Sequence, residues 1–296
     1  EGHPWTEKLG RLFDPAEREA FLAEFEADVS VLRDNRPYVE YGIKPAEFPN
    51  LLLHPLRGGP ELPTQLRVLT LLMSFFLVIF ASVLVLMVSP LLLLKRSELK
   101  DGRGGRLLLL GLFFFLGIAY ILIEIALLQQ FFLLLGDPAI TFAVMLAAML
   151  VFSGLGSFLS HRFAPARLGR HIAVLAVLVA LMHLVVTFTL PLLIYALLGH
   201  AFWVKILAVT AVLAVVSVPM GMMFPSALRM MHARGLDMTC WAWGMNGVGS
   251  VLGSVGATLI SLNLGIQGVF LVGVGCYLVV FLLTRASVRG EPTSSA

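Results

Sequence analysis

Charge is what this sequence has least of. Only 13% of its 296 residues are Asp, Glu, Lys or Arg, against about 25% in soluble domains, and between residues 68 and 284 those few fall almost entirely outside the apolar runs. That scarcity excludes an ordinary soluble enzyme. Cysteine is nearly absent as well. Cys240 and Cys276 lie at or within apolar runs with no pairing logic, so they read as small hydrophobes and not as a disulfide framework. There is no Cys-x-x-Cys, no His-Glu-x-x-His, no nucleophile elbow and no dinucleotide loop. The glycines of Asp101–Arg106 follow no soluble strand and open an apolar run. The histidines lack metal-site spacing, and His183 stands alone in its run. No catalytic residue, metal or cofactor is expected, and no nucleic-acid partner.

What is present is lipid-soluble sequence: 58% of the residues are hydrophobic. A bilayer core about 30 Å thick takes roughly 20 apolar residues per helix. Runs of that size cover about 68–94, 107–134, 139–160, 172–198, 202–224, 241–262 and 265–284. The expected fold class is therefore all-α, a polytopic transmembrane bundle of about seven helices over 67–296, preceded by a polar segment over 1–66.

That polar segment is acidic, with twelve acids against eight bases in residues 1–67, whereas the remainder holds thirteen bases against six acids. Asp14-Pro15 followed by Glu17 predicts a helix start, with Asp14 capping and Glu17 reaching back to the cap. Phe21, Leu22, Phe25 and Val29 extend the helix to about Leu32. Six prolines from Pro37 to Pro63 make the rest extended. Sixty-six residues of this kind bury little core alone. With Glu1 first and no signal sequence, the chain is expected to be processed or part of a longer product, the segment being the end of a larger domain.

The connections predict a topology. Lys95, Arg96, Lys100, Arg103 and Arg106 follow the first run, Arg162, Arg167 and Arg170 the third, Arg229 and Arg234 the fifth, and Arg285 and Arg289 the seventh. The other connections carry little positive charge. The positive-inside rule then puts the C-terminus in the cytoplasm and, with seven spans, residues 1–66 outside. If the first run turns back at Ser89-Pro90, the polar segment flips to the cytoplasm.

Polar groups inside the runs are the remaining signal. Glu124 stands mid-run, where an ionisable group costs at least several kcal/mol unless neutralised or paired. It reads either as a proton carrier or cation ligand, or as a hydrogen-bonded lock between helices. Gln129 follows one turn later. In the sixth run Asn246, Ser250 and Ser254 repeat every four residues, as do Gly249, Gly253 and Ala257. That pattern predicts close helix packing, with Gly154 and Gly156 of Ser153–Ser157 as the partner surface. Pro219 and Pro225 predict a break or kink in the fifth run.

Leu32-Arg33-Asp34-Asn35-Arg36-Pro37-Tyr38-Val39-Glu40-Tyr41 resembles the Asp-Asp-Arg-Pro-aromatic segment near the end of spermidine/spermine synthase-like domains in bacterial membrane fusion proteins. Asp34, Arg36 and Pro37 carry that motif, and Asn35 stands in place of its second Asp. The bundle of that family, itself resembling half of a major-facilitator transporter, is similar at Glu124–Gln129 through Gly136-Asp137-Pro138, at Phe152–Ser157, and at Met220–Pro225 with Trp241–Ser254.

The resemblance implies an α/β synthase-like domain ending in the polar segment, and a place in the bacterial inner membrane. The family's donor loop and catalytic acid lie upstream of the Asp-Arg-Pro segment, so no catalytic residue carries over. Three functions are then expected to compete. One is a structural or accessory membrane subunit that anchors such a protein, its partners being the lipid bilayer and other membrane chains or an upstream domain. The second is a transporter-like module for a polyamine or other cation using Glu124. The third is a membrane-tethered aminopropyl transferase, should an upstream catalytic domain exist.

Overall fold

A computed structural model describes residues 11–24, 35, 71, 74, 75, 77–82, 85 and 103–289. The chain divides into two compact units, Glu1–Ile79 and Phe80–Ala296. The described residues are helical or turn, without strands.

In the first unit a short helix, α1, spans Arg18–Glu24. The Asp14 carboxylate accepts from the Ala16 backbone N–H at 2.9 Å, so the turn forms where expected. The reciprocal half of the expected cap does not. Glu17 instead pairs with Arg11 at 3.5 Å, whose guanidinium also lies 5.3 Å from the centre of the Phe21 ring. The extension to Leu32, the proline-rich stretch and the Asp34/Arg36/Pro37 motif lie outside the described residues, apart from Asn35 in a turn. So do Ser89-Pro90 and most of the first apolar run, whose described residues are helical.

The second unit is a helix bundle: α2 (Arg103–Leu135), α3 (Pro138–Ser160), α4 (Leu168–Leu197), α5 (Phe202–Ala233) and α6 (Thr239–Arg289), with a single 3₁₀ turn at Pro165–Arg167. All five α-helices are long and apolar enough to cross a membrane. Side chains facing outward on α3, α4 and α5, such as Leu150, Phe158, Val185, Phe188, Leu192 and Leu207, are large and apolar yet exposed. A continuous apolar exterior is what a lipid solvent requires.

At 1.5 Å per residue a 51-residue helix would run about 75 Å, far beyond one bilayer. Gly265 resolves this. Its φ of 77° and ψ of 177° are non-helical and divide α6 into 239–264 and 266–289. Asn246, Gly249 and Gly253 meet α2 at Phe113, Phe114 and Ile118 in rising order, whereas Gly273 meets Ile123 and Leu122, and Leu283 meets Gly111. The first half is therefore parallel to α2 and the second antiparallel to it. With α6 divided at Gly265, the described residues form six long helical segments, which fall on the second to seventh apolar runs.

The tight connection between α2 and α3 shows how local chemistry sets this up. Gly136, at φ 76°, ends α2 in the left-handed conformation that glycine adopts without penalty, its N–H bonding the Phe132 carbonyl at 3.0 Å. Asp137 then accepts from the Ile140 N–H at 2.9 Å, and Pro138 takes the first helical position, where no donor is needed.

Of the break or kink expected in the fifth run, a full break is not seen. α5 continues through Pro219 and Pro225 to Ala233. A broken helix would leave backbone groups unpaired in lipid, and the helix is held on both sides by packing against α3 and α4.

The Gly265 conformation is one that residues with a side chain almost never adopt, at about 1–3 kcal/mol. Gly265→Ala is expected to lower the thermal midpoint of the detergent-solubilised protein clearly. Gly256→Ala, at a helical site where an added Cβ meets nothing within 4 Å, should leave it unchanged or raise it.

Candidate functional site

The intramembrane polar residues divide between two helix interfaces. On the first, 239–264 of α6 lies against α2. The Asn246 side-chain amide donates to the Phe113 carbonyl at 3.3 Å. The Ser250 hydroxyl lies 3.4 Å from the Gly117 carbonyl and 3.0 Å from that of Asn246, and Ser254 donates to the Ser250 carbonyl at 2.8 Å. A Cβ on Gly249 would collide with the Phe114 carbonyl, and one on Gly117 with the Asn246 carbonyl. Gly253 faces Ile118 and Ile121, and Ala257 is fully buried. The polar ladder and the small-residue ladder thus serve one interface, bonding backbone to side chain where the helices come closest.

The partner of that ladder is not Ser153–Ser157, as the sequence suggests, but α2, with Gly117 as the residue that admits Asn246. The stretch around Ser153 packs on α5. Gly156 lies against the Val218 backbone and Gly221 against that of Ser153. Gly154 faces outward, with nothing within 4 Å of an added Cβ. Gly117 and Gly221 escape sequence reading because neither belongs to a four-residue glycine repeat that would mark a helix face.

The second interface carries Glu124. It is half-buried on α2, one turn beyond Tyr120. The Tyr120 side chain meets Ser153 of α3 and lies within electrostatic range of the Glu124 carboxylate. Among the described residues no ion pair reaches Glu124. Gln129 leaves its side-chain oxygen buried without a hydrogen-bond partner. Tyr120 thus links α2 to Ser153 of α3, with Glu124 one turn along the same helix, and the three stand apart from the Asn246–Ser254 ladder.

His183 is fully buried in α4. Its Nδ1 lies 2.8 Å from the Val179 carbonyl and its ring stacks on Tyr277, the planes 13° apart. That is the setting of a core histidine. The described residues include no group of three His, Cys, Asp or Glu able to hold a metal.

Nine of the ten basic residues between 103 and 289 gather at one end of the bundle. Arg103 and Arg106 open α2, while Gly169, near Arg167 and Arg170, packs against Met230 and Val288. Lys205 alone lies toward the other end. Arg229, expected in a connection, is inside α5. Its guanidinium donates to the Ser160 carbonyl at 2.7 Å and the Phe163 carbonyl at 2.9 Å. It thereby closes the C-terminus of α3, whose last carbonyls have no helical partners.

No family model, curated protein or solved structure matches the chain.

Inserting a methyl group where a backbone carbonyl already sits displaces a whole helix, and overpacking of this kind costs typically 1–3 kcal/mol. Gly249→Ala and Gly156→Ala are each expected to lower the thermal midpoint in detergent. Gly154→Ala, only two residues from Gly156, should not. Equal effects at 154 and 156 would remove the backbone contact as the explanation.

Proposed function

We propose that this chain is an integral-membrane anchor or accessory subunit of a polyamine-synthase-like protein, with no catalytic site of its own. One observation carries the anchoring role. The helix pairs α2 with 239–264, and α3 with α5, meet backbone to backbone at glycines, and the amide and hydroxyls of the first pair bond carbonyls at that seam. Such contacts hold helices in one arrangement, whereas a transport cycle needs interfaces that part. The polyamine association rests on the resemblance at residues 32–41 and in the bundle, and on nothing else.

In this reading the arginine-rich end faces the cytoplasm of a bacterial inner membrane, following the positive-inside rule, and residues 1–66 lie on the opposite side, given a seventh span before α2. His161 at the arginine-rich end and His200 in the α4–α5 connection are both exposed. In a Cys240→Ser/Cys276→Ser background, His200→Cys is expected to react with a membrane-impermeant thiol reagent in intact cells and His161→Cys only after permeabilisation. The reverse pattern would invert the orientation.

A second reading, a module moving a polyamine or another cation, is favoured by the Glu124–Tyr120–Ser153 group, because an unpaired half-buried carboxylate in a span is a natural cation ligand. Reconstituted alone in liposomes, the chain is expected to take up no more spermidine or putrescine than protein-free vesicles. Uptake abolished by Glu124→Gln would overturn the anchor reading and establish this one.

A further inference from the structure

The arginines at the basic end do not all act alike. Arg229 bonds the α3 carbonyls; Arg167, Arg170 and Arg234 line a common cleft of about 500 Å³ together with Gly169, Met230 and Val288. Three separate elements build it: the start of α4, the end of α5 and the end of α6. Arg167 and Arg170 are exposed on its rim, while Met230 and Val288 supply apolar wall. Gly169 is needed for this geometry, since a Cβ there would run into the Val288 side chain.

Among the described residues no acid lines the cleft. Asp237, three residues beyond Arg234, stands 3.5 Å from the Thr239 hydroxyl, beside the His232–Thr239 hydrogen bond of 2.9 Å. α4 also begins there with no side-chain cap, so the positive end of a 30-residue helix adds to the same field.

We infer that this cleft binds a phosphate-bearing anion. Guanidinium groups match phosphate oxygens in pairs, an uncapped helix start favours the same charge, and basic pockets between spans on the cytoplasmic side hold anionic lipid headgroups. Set at the end of the apolar belt with Met230 and Val288 in its wall, the cleft suits the phosphodiester of an anionic phospholipid, arginines on the phosphate and apolar wall toward the glycerol. A free phosphate ion shares the chemistry, and the two sources separate experimentally.

The test uses the whole chain in neutral detergent, reading the thermal midpoint from tryptophan fluorescence while adding phosphatidylglycerol, phosphatidylcholine or inorganic phosphate. Phosphatidylglycerol is expected to raise the midpoint by roughly 3–6 °C at tenfold saturation, and phosphatidylcholine by much less. Arg167→Gln/Arg170→Gln should remove most of the rise. Arg285→Gln, at the same end but outside the cleft, should keep it. Should the glutamine pair not fold, Arg167→Lys/Arg170→Lys reads the same site: with both charges kept, at least half of the rise is expected. A rise with phosphatidylglycerol alone assigns a lipid headgroup, and a rise with inorganic phosphate as well assigns a free anion. Equal rises with both lipids, no rise with any probe, a full rise in the glutamine pair or none in the lysine pair overturns the inference.

Discussion

The approach of α2 to the 239–264 half of α6 holds the bundle together. Lipid tails are as apolar as the Leu and Phe side chains they touch, so burying those side chains does little to drive helices together in a membrane. Association must come from contacts lipid cannot reproduce, namely close packing and hydrogen bonds between helices. Gly117 and Gly249 leave out the atoms that would hold the helices apart, each facing a backbone carbonyl of the other helix. Asn246 and Ser250 then reach carbonyls across the gap. The turn at Gly265 brings 266–289 back along the same helix, so that α2 is covered by both halves of α6.

A second glycine seam, Gly156 against Val218 and Gly221 against Ser153, joins α3 to α5 on the same principle. It also accounts for α5 passing through two prolines without interruption. A helix held by its neighbours stays helical where its own ladder lacks a donor. Arg229 completes the pairing by bonding the last carbonyls of α3. A charge that reads as a topogenic signal is thus also a structural bolt, while Arg167, Arg170 and Arg234 line a common cleft.

The polar residues divide according to what surrounds them. Asn246, Ser250 and Ser254 have carbonyl partners within one turn or across the seam, and His183 bonds Val179 and stacks on Tyr277. Asn246, Ser250 and Ser254 thus meet their hydrogen-bonding need inside the packed interior, as buried polar groups do, whereas among the described residues His183 keeps its Nε2 buried without a partner. Glu124 differs: it stands one turn from Tyr120, which meets Ser153, but has no cation opposite it. Chemistry within the spans, if the chain has any, belongs to that group.

Composition and run length by themselves pointed to an all-helical chain with helices long and apolar enough to cross a membrane, because a bilayer demands about 20 apolar residues whatever the neighbours are. The Gly136-Asp137-Pro138 connection was equally legible, since glycine, a capping acid and proline act on their own backbone. The repeat at 246, 250 and 254 revealed that a close interface exists, but its partner was misassigned to Ser153–Ser157, because a one-dimensional pattern names a face and not what meets it. Gly117, Gly221, the hydrogen bonds of Arg229 and the gathering of Arg167, Arg170 and Arg234 around one cleft were decided only by tertiary structure. Each depends on residues tens of positions apart coming within a few ångströms, and nothing in local propensity encodes that distance.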